Sequence, residues 1–415
     1  MDKSVDVEII LTEYNSNTTK KSIVAVVENY LKNKIFRPNS VINFERENTN
    51  ILHGVVKTVI IGEIAGYDKS FVDFNNLNIN WFVYKLDAEG PLLQNEEDGE
   101  EEVTISTQLM LPSESLFNLW ENLYYDHSIK QNLLKYAQTM MEFSDKGVDQ
   151  NIISCNRVIL LHGPPGTGKT SLCKALAQKL TIRMGKRFGS GVLIEINSHS
   201  LFSKWFSESG KLVNKMFSKI NDFIENKDIL VCVLMDEVES LAHARNQCVS
   251  GTEPSDSIRV VNALLTQIDK IKQHSNVLIF ATSNMTEAID LAFIDRADIK
   301  QHLGNPSKYA IYKVYYSCIN ELIKSKIVTG DTLESTDYLI SNEDKQYSPE
   351  LKKLLDLCET SVGLSGRSLR KIPFLAHALF LEGDQIQLGD FLEAMERAVH
   401  KEILERKYFE QIKLT

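Results

Sequence analysis

The chain has 415 residues, 43% hydrophobic and 25% charged, and this composition predicts a soluble protein with two or three domains. The net charge of −10 argues against non-specific binding to nucleic acid or to an anionic membrane. No apolar run approaches the roughly 18 residues of a membrane-spanning helix, and we expect no signal peptide. The six cysteines form no Cys-x-x-Cys pair and the nine histidines do not cluster, so we expect reduced thiols and no metal site built from these side chains.

The first part of the chain, residues 1–100, predicts a small α/β domain. Strand-like runs (VDVEIIL, VVKTVIIGEI and INWFVYKL) accompany one helix-like run, SIVAVVENYLKNKI. The acidic stretch NEEDGEEE follows at residues 95–102. Because like charges repel one another and resist packing, we interpret this stretch as a linker or loop, with a solvated helix start as the alternative.

Residues 105–305 predict a larger α/β domain. Helical patterns separate four apolar runs of strand length. Since strands covered on both faces are typical of a parallel sheet with crossover helices, we expect these runs to be strands: RVILLHG (157–163), VLIEIN (192–197), ILVCVLMDE (229–237) and NVLIFATSN (276–284). From residue 306 to residue 415 the spacing becomes helical and predicts a small helical domain, with the polar stretch 329–347 as a loop inside it.

The segment GPPGTGKT at residues 163–170 fits the phosphate-loop pattern G-x-x-x-x-G-K-[ST] and lies between a predicted strand and a predicted helix. Its glycines let backbone N–H groups turn inward and cradle phosphates at a helix N-terminus. We expect Lys169 to reach the β- and γ-phosphates of ATP and the Thr170 hydroxyl to bind Mg²⁺. The predicted site for ATP or ADP comprises Gly163, Pro164, Pro165, Gly166, Thr167, Gly168, Lys169, Thr170 and Ser171.

Polar side chains end two of the predicted strands. Asp236 can face Mg²⁺ directly or through a water, and Glu237 beside it can polarise the attacking water as a general base. Asn284 ends another strand at the sheet edge where ligands of parallel sheets bind, and it can orient that water or contact the γ-phosphate. The alternative for Asp236 and Glu237 is that the two carboxylates only end a strand. The alternative for Asn284 is a turn residue or a helix N-cap.

These features resemble an AAA+ ATPase. The Walker A segment is 163–170, the Walker B strand ends in Asp236–Glu237, and Asn284 stands at the sensor 1 position. The helical C-terminal domain resembles the AAA+ lid. The resemblance implies a doubly covered α/β core with a lid, and hydrolysis of ATP to ADP and phosphate.

The resemblance also implies two functional arginines. In the segment GLSGRSLRK, which resembles sensor 2, we assign the contact with the γ-phosphate to Arg367, with Arg370 as the competitor. In LAFIDRADIK we expect Arg296 to act as the arginine finger on the nucleotide of the next subunit. AAA+ proteins usually carry two arginines there. Here Asp295 and Asp298 flank a single arginine, and a salt bridge to either aspartate is the alternative.

The segment HSLFSKWFSESGK at residues 199–211 places two large aromatic side chains among serines and charges. From the residues alone, burial and exposure of this pair remain equally open. In AAA+ rings, however, the loop after the second core strand projects an aromatic–hydrophobic pair into a central pore. The resemblance therefore implies that Lys204, Trp205 and Phe206 grip a polypeptide, with Ser207 in place of the usual glycine. A second pore loop is expected within residues 246–257.

The resemblance narrows to the pachytene checkpoint AAA+ ATPase family over residues 105–400. It is carried by LWENLYYD (119–126), the long segment through the phosphate loop, DRADIK, and GLSGRSLRKIPFLAHAL. It implies a homohexamer that pulls on HORMA-domain proteins and converts them between closed and open conformers. The N-terminal domain would receive the substrate with an adaptor that is itself a HORMA protein, and residues 119–125 would pack near adenine.

The same resemblance implies disassembly of the mitotic checkpoint complex and control of HORMA proteins on meiotic chromosome axes. It places the protein in the nucleus and cytoplasm, at meiotic chromosomes and kinetochores, with no membrane or direct nucleic-acid partner. Three alternatives share parts of the pattern: a generic protein unfoldase, a nucleic-acid motor, and a scaffold that binds nucleotide without hydrolysis. The absence of a basic stripe weighs against the second, and the complete set of hydrolytic residues weighs against the third.

Overall fold

Four large hydrophobic clusters organise the part of the chain that the structure describes: one in the N-terminal domain, one on each face of a large sheet, and one in the C-terminal helical domain. In the described ranges, no helix combines the length and the apolar character that crossing a membrane requires. The computed structural model describes residues 4–12, 19–44, 54–64, 71–98, 101–126, 128–196, 209–240, 256–285, 289–331, 333, 347–383 and 385–414.

The N-terminal domain is a four-stranded sheet covered by one helix. Its strand order is β2-β3-β1-β4, with β1 parallel to β4 and antiparallel to β3. Apolar residues at helical spacing (Ile23, Val27 and Leu31) turn one face of α1 into the core. The predicted α/β character of this region is confirmed by its elements: β1 (Ser4–Leu11), α1 (Lys20–Lys32), β2 (Ser40–Asn43), β3 (Val56–Ile61) and β4 (Asn78–Lys85).

The large sheet contains five parallel strands in the order β11-β7-β10-β9-β8. Four of them are the apolar runs in the sequence, so these strand predictions are confirmed. The inner strands are buried along their length, which explains why they are apolar without alternation. The five strands are β7 (Val158–His162), β8 (Ser190–Ile196), β9 (Ile229–Met235), β10 (Val277–Ser283) and β11 (Ile299–His302).

An antiparallel hairpin extends this sheet at its edge. It comprises β5 (Leu92–Asp98) and β6 (Glu101–Leu111), and β6 pairs with β8. The interpretation of residues 95–102 as a linker or loop is therefore wrong, and the large sheet begins inside the range assigned to the N-terminal domain. The neighbouring strand provides backbone hydrogen bonds that outweigh local repulsion, and charges are common on edge strands. A short 3₁₀ helix, Glu114–Leu116, follows the hairpin.

Helices cover both faces of the large sheet. On one face, α2 and α3 pack against Ile159, Leu161 and their neighbours. On the other face, α4, α5 and α6 pack against Val158 and Leu160. Helix α3 directly follows the phosphate loop and is buried almost throughout. These helices are α2 (Ile129–Asp145), α3 (Lys169–Arg183), α4 (Ser209–Glu225), α5 (Asp256–Ile271) and α6 (Leu291–Ile294).

The C-terminal domain is a bundle of helices around its own core, as predicted. A two-stranded parallel ladder pairs Val328 with Ile386 and ties the segment after α7 to the start of α10. Of the predicted loop at 329–347, residues 332 and 334–346 lie outside the described residues. The elements are α7 (Lys308–Lys324), β12 (Val328–Thr329), α8 (Pro349–Thr360), α9 (Gly366–Phe380), β13 (Ile386–Gln387) and α10 (Leu388–Leu414).

A buried ionic cluster joins the N-terminal domain to helix α3. Lys179 Nζ lies 2.7 Å from Glu8 Oε1 on β1 and 2.7 Å from Glu121 Oε1. One turn further along the helix, Arg183 Nη2 lies 2.9 Å from Glu8 Oε1, and its Nε lies 3.2 Å from Asp6 Oδ2. Glu8 is only 2% exposed, so its charge depends on these cations for compensation.

The environment of Glu8 determines its pKa. Burial raises the pKa of this carboxyl, but the charges of Lys179 and Arg183 and the hydrogen bond from Tyr84 lower it to about 2. An unfolded glutamate has a pKa of about 4.3. Because the folded pKa is depressed, the cluster contributes its full stability above about pH 4.3 and loses it as the pH falls through about 2.

Replacing Glu8 with Gln should lower the free energy of unfolding by about 3 kcal/mol, because the buried cations lose a partner. Thermal unfolding of the full chain measures the difference from wild type. We expect that difference to be constant between about pH 5 and 8 and to shrink as the pH falls from about 4 towards 2.

The matched control is Glu114→Gln, which breaks an exposed ion pair at the same junction, where Lys57 Nζ lies 2.6 Å from Glu114 Oε1. We expect its unfolding midpoint to stay near that of wild type, since exposed pairs contribute little. Equal midpoints for the two variants would contradict the importance of the buried cluster.

Candidate functional site: a nucleotide site at the carboxyl ends of the strands

At two positions of the phosphate loop, the backbone conformation and a close neighbouring atom leave room only for glycine. Gly163 has φ +140°, and a Cβ there would lie 2.2 Å from the Leu303 carbonyl oxygen. Gly168 has φ +88°, and a Cβ there would lie 2.7 Å from the Tyr125 hydroxyl. Any side chain would displace the loop from the start of α3, where free N–H groups and the helix dipole favour an anion.

Lys169 is buried in the first turn of α3 and points back over the loop. Its Nζ donates to the carbonyl oxygens of Gly163 and Pro164, both at 2.8 Å. Burial lowers the pKa of Lys169, while the nearby carboxylates of Glu239 and Asp236 oppose that change. The loop thus holds an ammonium group where phosphate oxygens of a nucleotide would bind.

Oxygen ligands converge next to the lysine. Thr170 Oγ1 donates to Asp236 Oδ1 at 2.9 Å, and Thr282 Oγ1 also donates to this carboxylate. Hydroxyl and carboxylate oxygens are the ligands that Mg²⁺ takes in nucleotide sites. The two residues that the sequence assigns to the metal therefore lie side by side and fit it.

Glu237 and Asn284 meet across the ends of β9 and β10. Asn284 Nδ2 donates to Glu237 Oε1 at 3.1 Å, and the Glu237 N–H donates to Thr282 Oγ1 at 3.2 Å. Glu237 has φ +56°, a left-handed conformation that glutamate rarely adopts. Such strain is typical of active sites, and here it directs the carboxylate towards the amide of Asn284.

Two residues of this site escaped the sequence analysis. Thr282 bridges the backbone of Glu237 and the carboxylate of Asp236. Glu239 is buried, and its Oε1 accepts the N–H of Asn284 at 3.1 Å. Two sequence features could have identified them. Thr282 is a hydroxyl residue near the end of an apolar strand, and Glu239 is the third acidic residue within four positions of the chain.

A cavity of about 470 Å³ adjoins the phosphate loop. It opens between the segment 122–126, the connection 303–306 and the start of α9, and so includes part of the stretch expected near adenine. Tyr125 donates its hydroxyl hydrogen to the Gly168 carbonyl oxygen at 3.2 Å, fixing one wall to the loop. Apolar side chains suited to a base line the cavity: Leu123, Ile129, Leu303, Pro306 and Val314.

Arg367 and Arg370 both line this cavity, but they contact different parts of the molecule. The Arg367 N–H donates to the Gly166 carbonyl oxygen at 3.1 Å, and its charge helps to lower the pKa of Lys169. Arg370 Nη2 instead donates to the Asn122 carbonyl oxygen. The backbone of Arg367 therefore lies against the phosphate loop, whereas the side chain of Arg370 contacts the segment at 122; the sensor 2 role of Arg367 stays a prediction.

Arg296 forms a bidentate pair within its own chain. Its Nε and Nη2 lie 3.1 and 2.8 Å from the two carboxylate oxygens of Asp269, and its Nη1 donates to the Ala292 carbonyl oxygen at 2.6 Å. The alternative that Arg296 pairs with Asp295 or Asp298 is wrong, because the guanidinium pairs with Asp269 on α5, and the Asp298 carboxylate accepts from Tyr136 and the Asn156 N–H. The finger role of Arg296 stays a prediction.

The predicted pore residues Lys204, Trp205 and Phe206 lie outside the described residues. The same holds for most of the second predicted pore loop, 246–257, of which only the last two residues belong to α5. The described chain resumes at α4 after the first segment and at α5 after the second.

Comparisons with known proteins agree with this geometry. Residues 159–305 match the model of the ATPase family associated with various cellular activities (AAA). Residues 307–403 match the model of the TRIP13-like AAA+ ATPase lid C-terminal domain. A solved structure of C. elegans PCH-2 superposes with a TM-score of 0.78 at 36% identity, covering 97% of this chain and 99% of that one. The chain is therefore an AAA+ ATPase, and it binds nucleotide.

Relatives define the family more closely. The chain is 53% identical to the human pachytene checkpoint protein 2 homolog over 358 residues, which are 84% of this chain and 82% of the relative. The Danio rerio protein of that name is 51% identical, again over 84% of this chain and 82% of the relative. The chain belongs to the pachytene checkpoint protein 2 family. The E. coli MS115-1 HORMA:CdnC:Trip13 complex superposes with a TM-score of 0.52 at 17% identity, over 70% of this chain and 94% of that one, and shares the fold.

Replacing Glu237 with Gln should abolish most hydrolysis and spare binding. The amide cannot accept the proton of water, so we expect kcat for ATP to fall at least about 100-fold. A fluorescent ADP analogue should bind with nearly wild-type affinity, because the phosphate loop is untouched. Phosphate release and fluorescence titration measure the two quantities.

Lys174→Gln is the matched control. Lys174 lies on α3 outside the site, with its Nζ 2.8 Å from Glu195 Oε2. We expect this variant to keep both turnover and binding. Loss of ADP binding by Glu237→Gln, or turnover equal to wild type, would contradict the role given to Glu237.

Proposed function

We propose that this chain assembles as a homohexamer and uses Mg²⁺ and ATP to convert HORMA-domain proteins from a closed to an open conformation. The observation that carries the proposal is the convergence of Lys169, Thr170, Asp236, Glu237 and Asn284 at one sheet edge. It occurs in a chain that is 53% identical to the human pachytene checkpoint protein 2 homolog. The partner class is supported by the E. coli complex, in which a Trip13 protein occurs with a HORMA protein.

In the proposed hydrolysis each residue has one task. The Glu237 carboxylate accepts a proton from the attacking water, and the amide of Asn284 holds that carboxylate in place. The Lys169 ammonium and the N–H groups at the start of α3 bind the phosphates. Thr170 and Asp236 would hold Mg²⁺, which would neutralise phosphate charge.

The lid is placed to respond to the nucleotide. Its helix α9 begins beside the phosphate loop, where the backbone N–H of Arg367 donates to the Gly166 carbonyl oxygen. The connection into the lid is fixed by Ser307, which donates to Asp126, and by Asn305 Nδ2, which donates to the Gly363 carbonyl oxygen at 3.1 Å. Loss of the γ-phosphate would release Arg367, and the lid would shift relative to the sheet.

Substrate contacts are proposed for two regions. The N-terminal domain receives the HORMA protein with an adaptor of the same class, and Lys204, Trp205 and Phe206 pull on one end of the chain. In the cell this activity would dismantle mitotic checkpoint complexes and control HORMA proteins of meiotic chromosome axes. We propose that it acts in the nucleus and cytoplasm, at meiotic chromosomes and kinetochores, without a membrane or nucleic-acid partner.

The first test measures ATP turnover with and without a HORMA-domain protein and its adaptor. We expect the HORMA protein and its adaptor together to raise the ATP turnover of wild type, because the proposed ring hydrolyses ATP as it pulls on a bound polypeptide. Trp205→Ala should lose this response, since the aromatic surface that holds the chain is removed.

Ser203→Ala, a change in the same segment that spares both aromatic residues, should respond as wild type does. Turnover that ignores HORMA proteins but rises with DNA would replace the proposed substrate with nucleic acid. Binding to a protease ring would favour a generic unfoldase.

A second test asks whether Arg296 acts on the neighbouring subunit. Arg296→Ala and Glu237→Gln should each hydrolyse ATP at least about 10-fold more slowly than wild type. In mixed rings, a Glu237→Gln subunit provides its Arg296 to the site of a neighbouring Arg296→Ala subunit, which keeps its own Glu237. With random mixing about a quarter of the interfaces are complementary, so turnover should rise above that of either variant.

Mixing Glu237→Gln with Lys169→Ala is the control, because both variants are damaged in their own sites and no intact site results. That mixture should gain nothing. The absence of any gain from the first mixture would contradict an arginine finger at Arg296.

A further inference from the structure

Glu239 is a buried side chain beside the hydrolytic residues to which no role has been given. Only 9% of its surface is exposed. Its Oε1 accepts the N–H of Asn284 at 3.1 Å, whereas its Oε2 is buried and has no hydrogen-bond partner among the described residues. Because a buried acceptor without a donor costs free energy, stability alone does not explain a carboxylate at this position.

The hydrogen bond from Asn284 to Glu239 lies just beyond the end of the paired part of β10. The pairing of β10 with β7 ends at Ser283, and Asn284 is the next residue. The side chain of Asn284 then donates to Glu237 Oε1 at 3.1 Å. Glu239 thus anchors the backbone of the residue whose amide holds the general base.

We propose that Glu239 is a positioning residue for ATP hydrolysis, which fixes the backbone of Asn284 and so holds the Asn284 amide against the Glu237 carboxylate. Glu239 acts through Asn284 and contacts neither ATP nor the attacking water. The inference rests on the roles proposed for Glu237 and Asn284.

Two substitutions separate the hydrogen bond from the charge. Glu239→Ala removes both, and we expect kcat to fall about 10- to 100-fold, because a slightly misplaced group loses that much. Glu239→Gln keeps an acceptor oxygen with the same reach and should recover most of this loss. Affinity for a fluorescent ADP analogue, measured without hydrolysis, should stay within about threefold of wild type in both variants, which also shows that they fold.

A double variant tests whether the effect passes through Asn284. If it does, Glu239→Ala combined with Asn284→Ala should be no more than about threefold slower than Asn284→Ala alone. Losses that multiply in the double variant, or equal losses in the Gln and Ala variants, would overturn the positioning role while leaving that of Asn284 intact. Full turnover by Asn284→Ala would instead show that Asn284 is not needed for hydrolysis, and the proposal for Glu239 would fail with that premise.

Discussion

The burial of helix α3 is the constraint on which both the nucleotide site and the attachment of the N-terminal domain depend. Its first residues close the phosphate loop, and its middle packs under the large sheet. Its last turns carry Lys179 and Arg183, whose cations are compensated by Glu8 of the N-terminal domain. A displacement of this helix would therefore disturb phosphate binding and domain attachment together.

Close packing against the phosphate loop also positions the lid. Gly163 leaves no room between the phosphate loop and the Leu303 carbonyl oxygen, and the connection into α7 begins directly after that residue. At the other end of the lid contact, Gly166 lies against Ser365, where a Cβ would come within 2.8 Å of the hydroxyl oxygen. The phosphate loop is thus held between the entry to the lid and helix α9, so a displacement of the loop would disturb its packing against both parts of the lid.

Local patterns predicted most of the fold and the core of the site, because phosphate binding needs a glycine-rich turn between a strand and a helix. The strands ending in Asp236 and Asn284 were recognisable because they are apolar runs closed by polar residues. The partner of Arg296 was not recognisable, since Asp269 is 27 residues away and meets it only through packing of α5. The acidic hairpin was missed for another reason: its charged residues pair across β5 and β6, which a run of like charges does not predict, and only Ser106–Leu111 of β6 pair with the distant strand β8.

The pairing of Arg296 with Asp269 also bears on assembly. Both side chains are partly exposed, at 25% and 37%, so the pair contributes only about 1 kcal/mol or less in water. The guanidinium also donates to the Ala292 carbonyl oxygen, and in the proposed ring it would exchange these partners for a phosphate of a neighbouring subunit. Arginine suits this exchange because its planar guanidinium binds carboxylate and phosphate in the same bidentate geometry. The intramolecular pair is therefore compatible with action on a neighbouring site, where the higher charge of the phosphates favours the second partner.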